Sequence, residues 1–252
     1  MRSSFCCGDF LLVTGMEIRK IATIRNEFTD RFGIPRQSGL ADAVTSRIVF
    51  EKEYRNPDAL RGITGFSHLW LLWEFDRIPR DTAFRPMVRP PKLGGNTRVG
   101  VFASRSPYRP NPVGLSAVRL LGTEETSEGT VLLVSGADLM NGTPILDIKP
   151  YIPYADCIPE AVGGFADAHA EERIPVVIAE EAKAGALSAG KDEAWLARLS
   201  EMLSRDPRPA YREDAGRRYG LSFDDTEVEF YAKDDVLTVT GICLKNPQEN
   251  GK

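Results

Sequence analysis

A mainly β fold, with strands rolled around a shared interior and a small α+β unit after them, is the fold class this sequence predicts. Three observations carry the prediction. Six short runs rich in β-branched, leucine and aromatic residues occupy the first two thirds of the 252 residues, separated by Gly, Pro, Asn and Asp clusters. No βαβ rhythm interrupts them, which disfavours a doubly wound parallel sheet. After about Glu160 the composition shifts, and residues 161–197 hold eleven alanines but one proline, Pro175.

In chain order the expected strands are Ile18–Ile24, Arg47–Glu53, Phe66–Phe75, Arg98–Ala103, Val113–Leu121 and Thr130–Ser135. Some alternate polar with apolar residues and others are apolar throughout, as expected where strands curl around one core. Trp70 and Trp73 read as barrel core, and His68 beside them as a packed core histidine. A further strand is expected at Ile174–Ala179. A helix follows over Asp192–Ser204, where Leu196, Leu199, Met202 and Leu203 recur at helical spacing and Asp192 is placed to cap the N-terminus. The helix should end by Asp206, because Pro207 disfavours helical geometry in the residue before it. Two last runs, TEVEFY and VLTVTGIC, flank the turn residues Lys233–Asp235 and read as a hairpin. The expected division is a loose tail over 1–15 (or a start at Met16), a β-barrel over 16–160 and a small C-terminal α+β domain over 161–252.

Composition narrows the function classes. A 42% hydrophobic content excludes disorder throughout. The formal charge of −4 excludes retention on nucleic acid by net charge alone, but not by a local basic face. Such a face is present: residues 77–119 carry nine Arg or Lys against one acid, Asp81, together with seven of the seventeen prolines. Irregular backbone studded with guanidiniums suits an anion or nucleic-acid surface better than a solvated helix face does. The four cysteines lack metal-ligand spacing, so no metal is expected, and their sparse use fits a reducing cytoplasm. No apolar run reaches the ~18 residues of a membrane span.

Three segments carry candidate chemistry. Gly100–Ser116, GVFASRSPYRPNPVGLS, sets Arg105, Arg109 and Asn111 among Pro107, Pro110 and Pro112. Prolines fix φ and reduce the entropy lost on ordering, so the two arginines are presented on a stiff loop. In Ser135–Tyr151, SGADLMNGTPILDIKPY, Asn141–Gly142 is a turn signal. There Asp138, Asn141 and Asp147 either hydrogen-bond a ligand's hydroxyl or amino groups or cap the turn. The third segment, Gly33–Leu40, places Arg36 and Gln37 between loop formers.

These segments, with GFSHLWLLWEF, RPPKLGGNTRVGVFA and DPRPAY (Asp206–Tyr211) in the same order, closely resemble the TrmO/TsaA-like family of S-adenosylmethionine-dependent tRNA methyltransferases. The resemblance is strong over about residues 18–155 and moderate over 200–240. It implies a single-sheet β-barrel, a small C-terminal domain, a homodimer, and methylation of N6-threonylcarbamoyladenosine beside the tRNA anticodon. It also implies a cofactor pocket made from Pro35, Arg36 and Gln37, from Asp76 and Arg77, from Arg105 and Leu115, and from Asp138, Leu139, Met140 and Asn141. Asn141 stands where the family often has aspartate. The alternatives are a non-catalytic RNA-binding barrel and a paralogous methyltransferase with another acceptor.

The acceptor nitrogen of such a reaction is urea-like, with its lone pair delocalised, so alignment against the departing sulfur matters more than for an ordinary amine. By chemistry alone, Asn111 and Asp147 are the candidates to receive its proton. The substrate's threonyl carboxylate calls for an arginine fork. Arg109 is the first choice for it and Arg208 the second, while Tyr211 and Tyr108 are candidates to stack on an extruded base.

Overall fold

A computed structural model describes residues 17–79, 84–90, 97–169, 173–208 and 217–245 of the chain. The expected 1–15 tail lies outside these residues, as does Tyr211. The molecule is mainly β, with twelve strands among the described residues. The first sheet uses β1 (Ala22–Arg25), β2 (Thr45–Phe50), β3 (His68–Glu74), β6 (Val113–Thr126), β7 (Gly129–Ser135) and β8 (Pro144–Pro150). Hydrogen bonding runs β1-β2-β7-β6-β3-β8, and β8 returns to β1 through Ala22–Ile145 and Thr23–Pro144, closing the sheet into a barrel. Every pair in it is antiparallel.

Alternation fixes which side chains fill the barrel. On β3, Leu69, Leu71 and Trp73 point inward, while His68 is exposed and Trp70 half-buried. His68 and Trp70 are therefore not core residues as expected. Nearly every position of SHLWLLWEF suits a core, so composition hides the face that only the register settles. Outside the barrel, Tyr151 lies against both: its ring centroid is 5.4 Å from that of Trp70 and 6.2 Å from that of His68. The expected strand at Arg98–Ala103 also changes form. Only Val99–Gly100 (β5) pairs, with Met87–Val88 (β4), and Val101–Ala103 is a 3-10 turn.

The second sheet has the order β10-β11-β12-β9, from β9 (Val176–Ile178), β10 (Arg218–Phe223), β11 (Thr226–Lys233) and β12 (Val236–Leu244). The expected C-terminal hairpin is β11–β12, and its turn places Asp234 and Asp235 at φ 51° and 57°, as a two-residue hairpin turn demands. After the single turn α1 (Pro153–Asp156), two helices complete this unit, α2 (Glu180–Ser188) and α3 (Glu193–Leu203). The α3 helix matches the expectation down to its cap, because the Asp192 carboxylate accepts from the Trp195 N–H at 2.8 Å. It buries Trp195, Leu196, Leu199, Met202 and Leu203 on one face. Each contributes about 1.5–3 kcal/mol by leaving water.

That second core is not made from the C-terminal third alone. Phe28, Ala41 and Val44, from the loops around β1 and β2, pack into it with α2, α3 and β10–β12. The segment carrying them also forms one wall of the candidate site.

Candidate functional site

Three loops meet at one end of the barrel. The first follows the 3-10 turn Arg31–Gly33, which Asp30 caps by accepting from the Phe32 N–H. Pro35 is buried, and the Gly39 N–H donates to the Gly136 carbonyl at 2.8 Å, clasping this loop to the third. Gly136 has φ +75°, and a Cβ there would lie 2.8 Å from Asp42 Oδ1 and 3.2 Å from the Gly39 backbone. Glycine is required by both geometry and space.

The proline-rich loop is held by its own polar groups. Ser104 Oγ donates to the Val101 carbonyl at 2.8 Å. Arg109 Nη1 donates to the carbonyls of Ser104 and Ser106, at 2.8 and 3.2 Å, and its guanidinium lies 6.0 Å from the Phe102 ring centroid. Arg109 thus staples the loop. Arg105 is exposed and reaches the first loop instead, donating to Gln37 Oε1.

The third loop brings Asp138 to the same place. Ser116 Oγ donates to Asp138 Oδ1 at 2.5 Å, and the Trp73 indole N–H donates to Ser116 Oγ at 2.9 Å. The Trp73 ring lies so close over Gly114 that a Cβ would come within 2.2 Å of it. Desolvation raises the Asp138 carboxyl above its ordinary range. The Ser116 hydroxyl, backbone N–H groups and the Arg105 charge oppose that rise without cancelling it. Leu139 is fully buried and Met140 half-buried. Asn141 is a turn residue: its Oδ1 accepts from the Asn26 N–H at 3.1 Å, while Asn26 Nδ2 donates to the Leu139 carbonyl. An amide performs that task without a negative charge.

Pro35, Arg36, Gln37, Arg105 and Asp138–Asn141 are therefore brought together. Asp76 and Arg77 are exposed in the turn after β3, at whose start the Phe75 N–H donates to the Pro112 carbonyl at 2.9 Å. Leu115 faces outward from β6 and is 54% exposed. The Asn111 side chain is exposed. Asp147 accepts from the Ile148 N–H at 2.9 Å and pairs with Lys149 at 2.8 Å on β8. Asn111 thus sits on the proline-rich loop itself, and Asp147 on strand β8. Arg208 is taken up by its neighbour: Asp206 accepts from its Nε and Nη2 at 2.8 and 2.9 Å. The Arg208 carbonyl in turn accepts from Arg36 Nη2 at 3.1 Å, joining DPRPAY to the first loop.

Sequence reasoning missed Ser116 and Trp73 as supports of the site. A serine among apolar residues on an inward-facing strand position was the available signal. Beside the loops, Gly39, Asp42, Ser67, His68, Ala117, Arg119 and Ser135 line a recess of about 340 Å³. Among the described residues no group of His, Cys, Asp and Glu could hold a metal ion.

The tRNA-methyltransferase O N-terminal domain matches residues 23–157, and the TrmO C-terminal domain matches residues 171–245. A tRNA (adenine(37)-N6)-methyltransferase of Escherichia coli K12 is 36% identical over 225 residues, covering 88% of this chain and 95% of that protein. A putative S-adenosylmethionine-dependent methyltransferase of Pseudomonas aeruginosa is 40% identical over 230 residues, covering 90% and 97%. The crystal structure of TrmO from P. aeruginosa superposes with a TM-score of 0.74 at 35% identity, covering 94% of this chain and all of that one. With both halves of the chain matched and its barrel loops in place, this protein belongs to the tRNA-methyltransferase O family.

Proposed function

We propose that this protein transfers a methyl group from S-adenosylmethionine to N6 of threonylcarbamoyladenosine at position 37 of tRNA. The observation that carries the reading is the convergence of Gln37, Arg105 and Asp138 from three separate loops. The donor set fits the cofactor. S-Adenosylmethionine combines a carboxylate, an ammonium, a ribose diol and a flat base, and when bound it supplies an electrophilic methyl on a cationic sulfur. Arg105 offers a fork for the carboxylate, and Asp138 an acceptor for hydroxyl or ammonium protons. Pro35, Leu139 and Met140 give the apolar wall, and Arg36 and Gln37 close one side of it.

The chain's own residues act by positioning. Loops fixed by the Gly39–Gly136 clasp and the Arg109 staple hold donor and acceptor in line, which is where most of the rate is gained for a poor nucleophile. For the N6 proton the candidate acceptors are Asp147, paired with Lys149 on the surface of β8, Asn111 on the proline-rich loop, and water. A homodimer completes the pocket. Leu115 and Leu121, 54% and 48% exposed, face outward from β6 with Ala117 and the exposed Arg119 between them, a face that a second copy would cover. The cytoplasm is the compartment this substrate implies, and no described helix is long and apolar enough to cross a membrane.

The test is to incubate the protein with S-adenosylmethionine and tRNA from cells lacking the activity, then to analyse the nucleosides by mass spectrometry. One extra methyl on threonylcarbamoyladenosine is expected. Arg105→Ala should weaken cofactor binding at least tenfold by calorimetry, the range of a lost charge-assisted hydrogen bond. Methyl transfer to another nucleoside, or none, refutes the substrate. Unchanged affinity removes Arg105 from the pocket.

A further inference from the structure

The basic stretch holds a feature that the cofactor loops leave unused. The β4–β5 ribbon pairs Met87 with Gly100 and Val88 with Val99, and the Val101 N–H donates to the Pro86 carbonyl at 2.9 Å. Continuing that register by one residue sets Arg89 opposite Arg98. At the ribbon's other end, Phe84 and Phe102 stack with ring centroids 6.3 Å apart and planes at 28°. Both rings face solvent, Phe84 being 56% and Phe102 72% exposed, and Met87 beside them is 50% exposed. Arg85, Arg89 and Arg98 are exposed too, and among the described residues none of the three has an ion pair.

Each of these features is unfavourable for a chain in water. Like charges facing each other across a strand pair repel. A two-stranded ribbon of this length is marginal by itself. Two stacked phenylalanines at the surface leave apolar area hydrated. A ligand that relieves all three at once must be polyanionic and carry flat apolar faces. Single-stranded nucleic acid has both, with phosphates for the guanidiniums and bases for the rings. A second copy of this chain does not, since the same patch would bring three more cations against these three.

We propose that the β4–β5 ribbon docks the unpaired nucleotides of the anticodon loop, one base stacking on the Phe84–Phe102 pair and the flanking phosphates lying against Arg85, Arg89 and Arg98. The inference rests on the tRNA reading above and adds where the RNA lies. The ribbon is coupled to the cofactor loops through Phe102, whose ring centroid lies 6.0 Å from the Arg109 guanidinium, and so through the loop from which Arg105 reaches Gln37. RNA gripped by the ribbon is thereby placed one loop away from the methyl donor.

Three proteins test it: the full-length chain, Arg89→Ala/Arg98→Ala and Phe84→Ala. Each is titrated with threonylcarbamoylated tRNA at several salt concentrations, with calorimetry of S-adenosylmethionine and sedimentation run in parallel. The arginine variant should bind tRNA at least tenfold more weakly, and its slope of log affinity against log salt should be shallower by about 1.4, the value for two single-strand phosphate contacts. Phe84→Ala should lose about fivefold or more without changing that slope. Cofactor affinity and sedimentation should stay as in the unmodified protein. The ribbon assignment is overturned if both variants bind tRNA normally while the unmodified protein still methylates it, or if Phe84→Ala dissociates an oligomer. An unmodified protein that binds no tRNA overturns the tRNA reading itself.

Discussion

Asp138 shows how a single side chain is tuned by what packs behind it. Its carboxylate is largely withdrawn from water, which raises its pKa, and the Ser116 hydroxyl is the first of the groups that pull the value back. Ser116 is 1% exposed and also receives the Trp73 indole N–H, so removing its oxygen orphans a donor and weakens an anion together. Ser116→Ala should therefore cost about 1–3 kcal/mol, and the cost should depend on pH. A carboxyl whose folded-state pKa is raised contributes stability that is present at low pH and is lost as pH rises through the folded value. The variant raises that value further, so its deficit against the parent should grow from acid to neutral pH. Urea unfolding at a series of pH values measures this, and a deficit independent of pH would place Ser116 outside the charge balance of Asp138. Much of this site could be read from the chain. Arg105 and Gln37 stood out as polar residues among loop formers, whereas the Ser116 contact joins residues 22 positions apart and depends on the barrel's register.

At the scale of elements, legibility followed the strength of the local signal. The α3 helix was visible because Asp192 caps it and large apolar residues recur at helical spacing. The α2 helix was not, because its buried positions are Ala182 and Ala186, which give almost no amphipathic contrast, and Gly185 lowers its helix propensity. The β10 strand, RYGLSF, was missed for a similar reason, since its glycine and serine dilute the strand signal. Gly185 is there for packing. A Cβ at that position would stand 2.2 Å from the Ile242 carbonyl oxygen, so α2 lies directly on the β12 backbone. Gly185→Ala improves intrinsic propensity by about 1 kcal/mol, yet it must push helix and strand apart, and overpacking of this kind costs about 1–3 kcal/mol or more. The prediction is a net loss of stability in thermal unfolding. A stabilised variant would mean that α2 is free to slide along β12.

Across the whole molecule the two sheets share material, and that governs how it should unfold. One sheet uses strands up to Pro150 and the other strands from Val176 on, but the second core takes in Phe28, Ala41 and Val44 from the first 50 residues. Glu27 next door grips α3 through Arg198, accepting from Nε at 2.8 Å and from Nη2 at 2.7 Å. The first of the three loops runs between these anchors, so its shape depends on the second sheet's core even though it lies among the barrel strands in sequence. Phe28 is 1% exposed, and its ring centroid is 6.2 Å from that of Phe223. Phe28→Ala should cost about 3–5 kcal/mol, and the loss should not stay local. Trp195 reports on the second core, Trp70 and Trp73 on the barrel, so variants that keep tryptophan in only one of these places can follow each unit separately. If the shared core couples the units, both probes will give one transition, and Phe28→Ala will move the two midpoints down together. Independent units would instead leave the barrel midpoint where it was, and the first loop would then have to be held by the barrel alone.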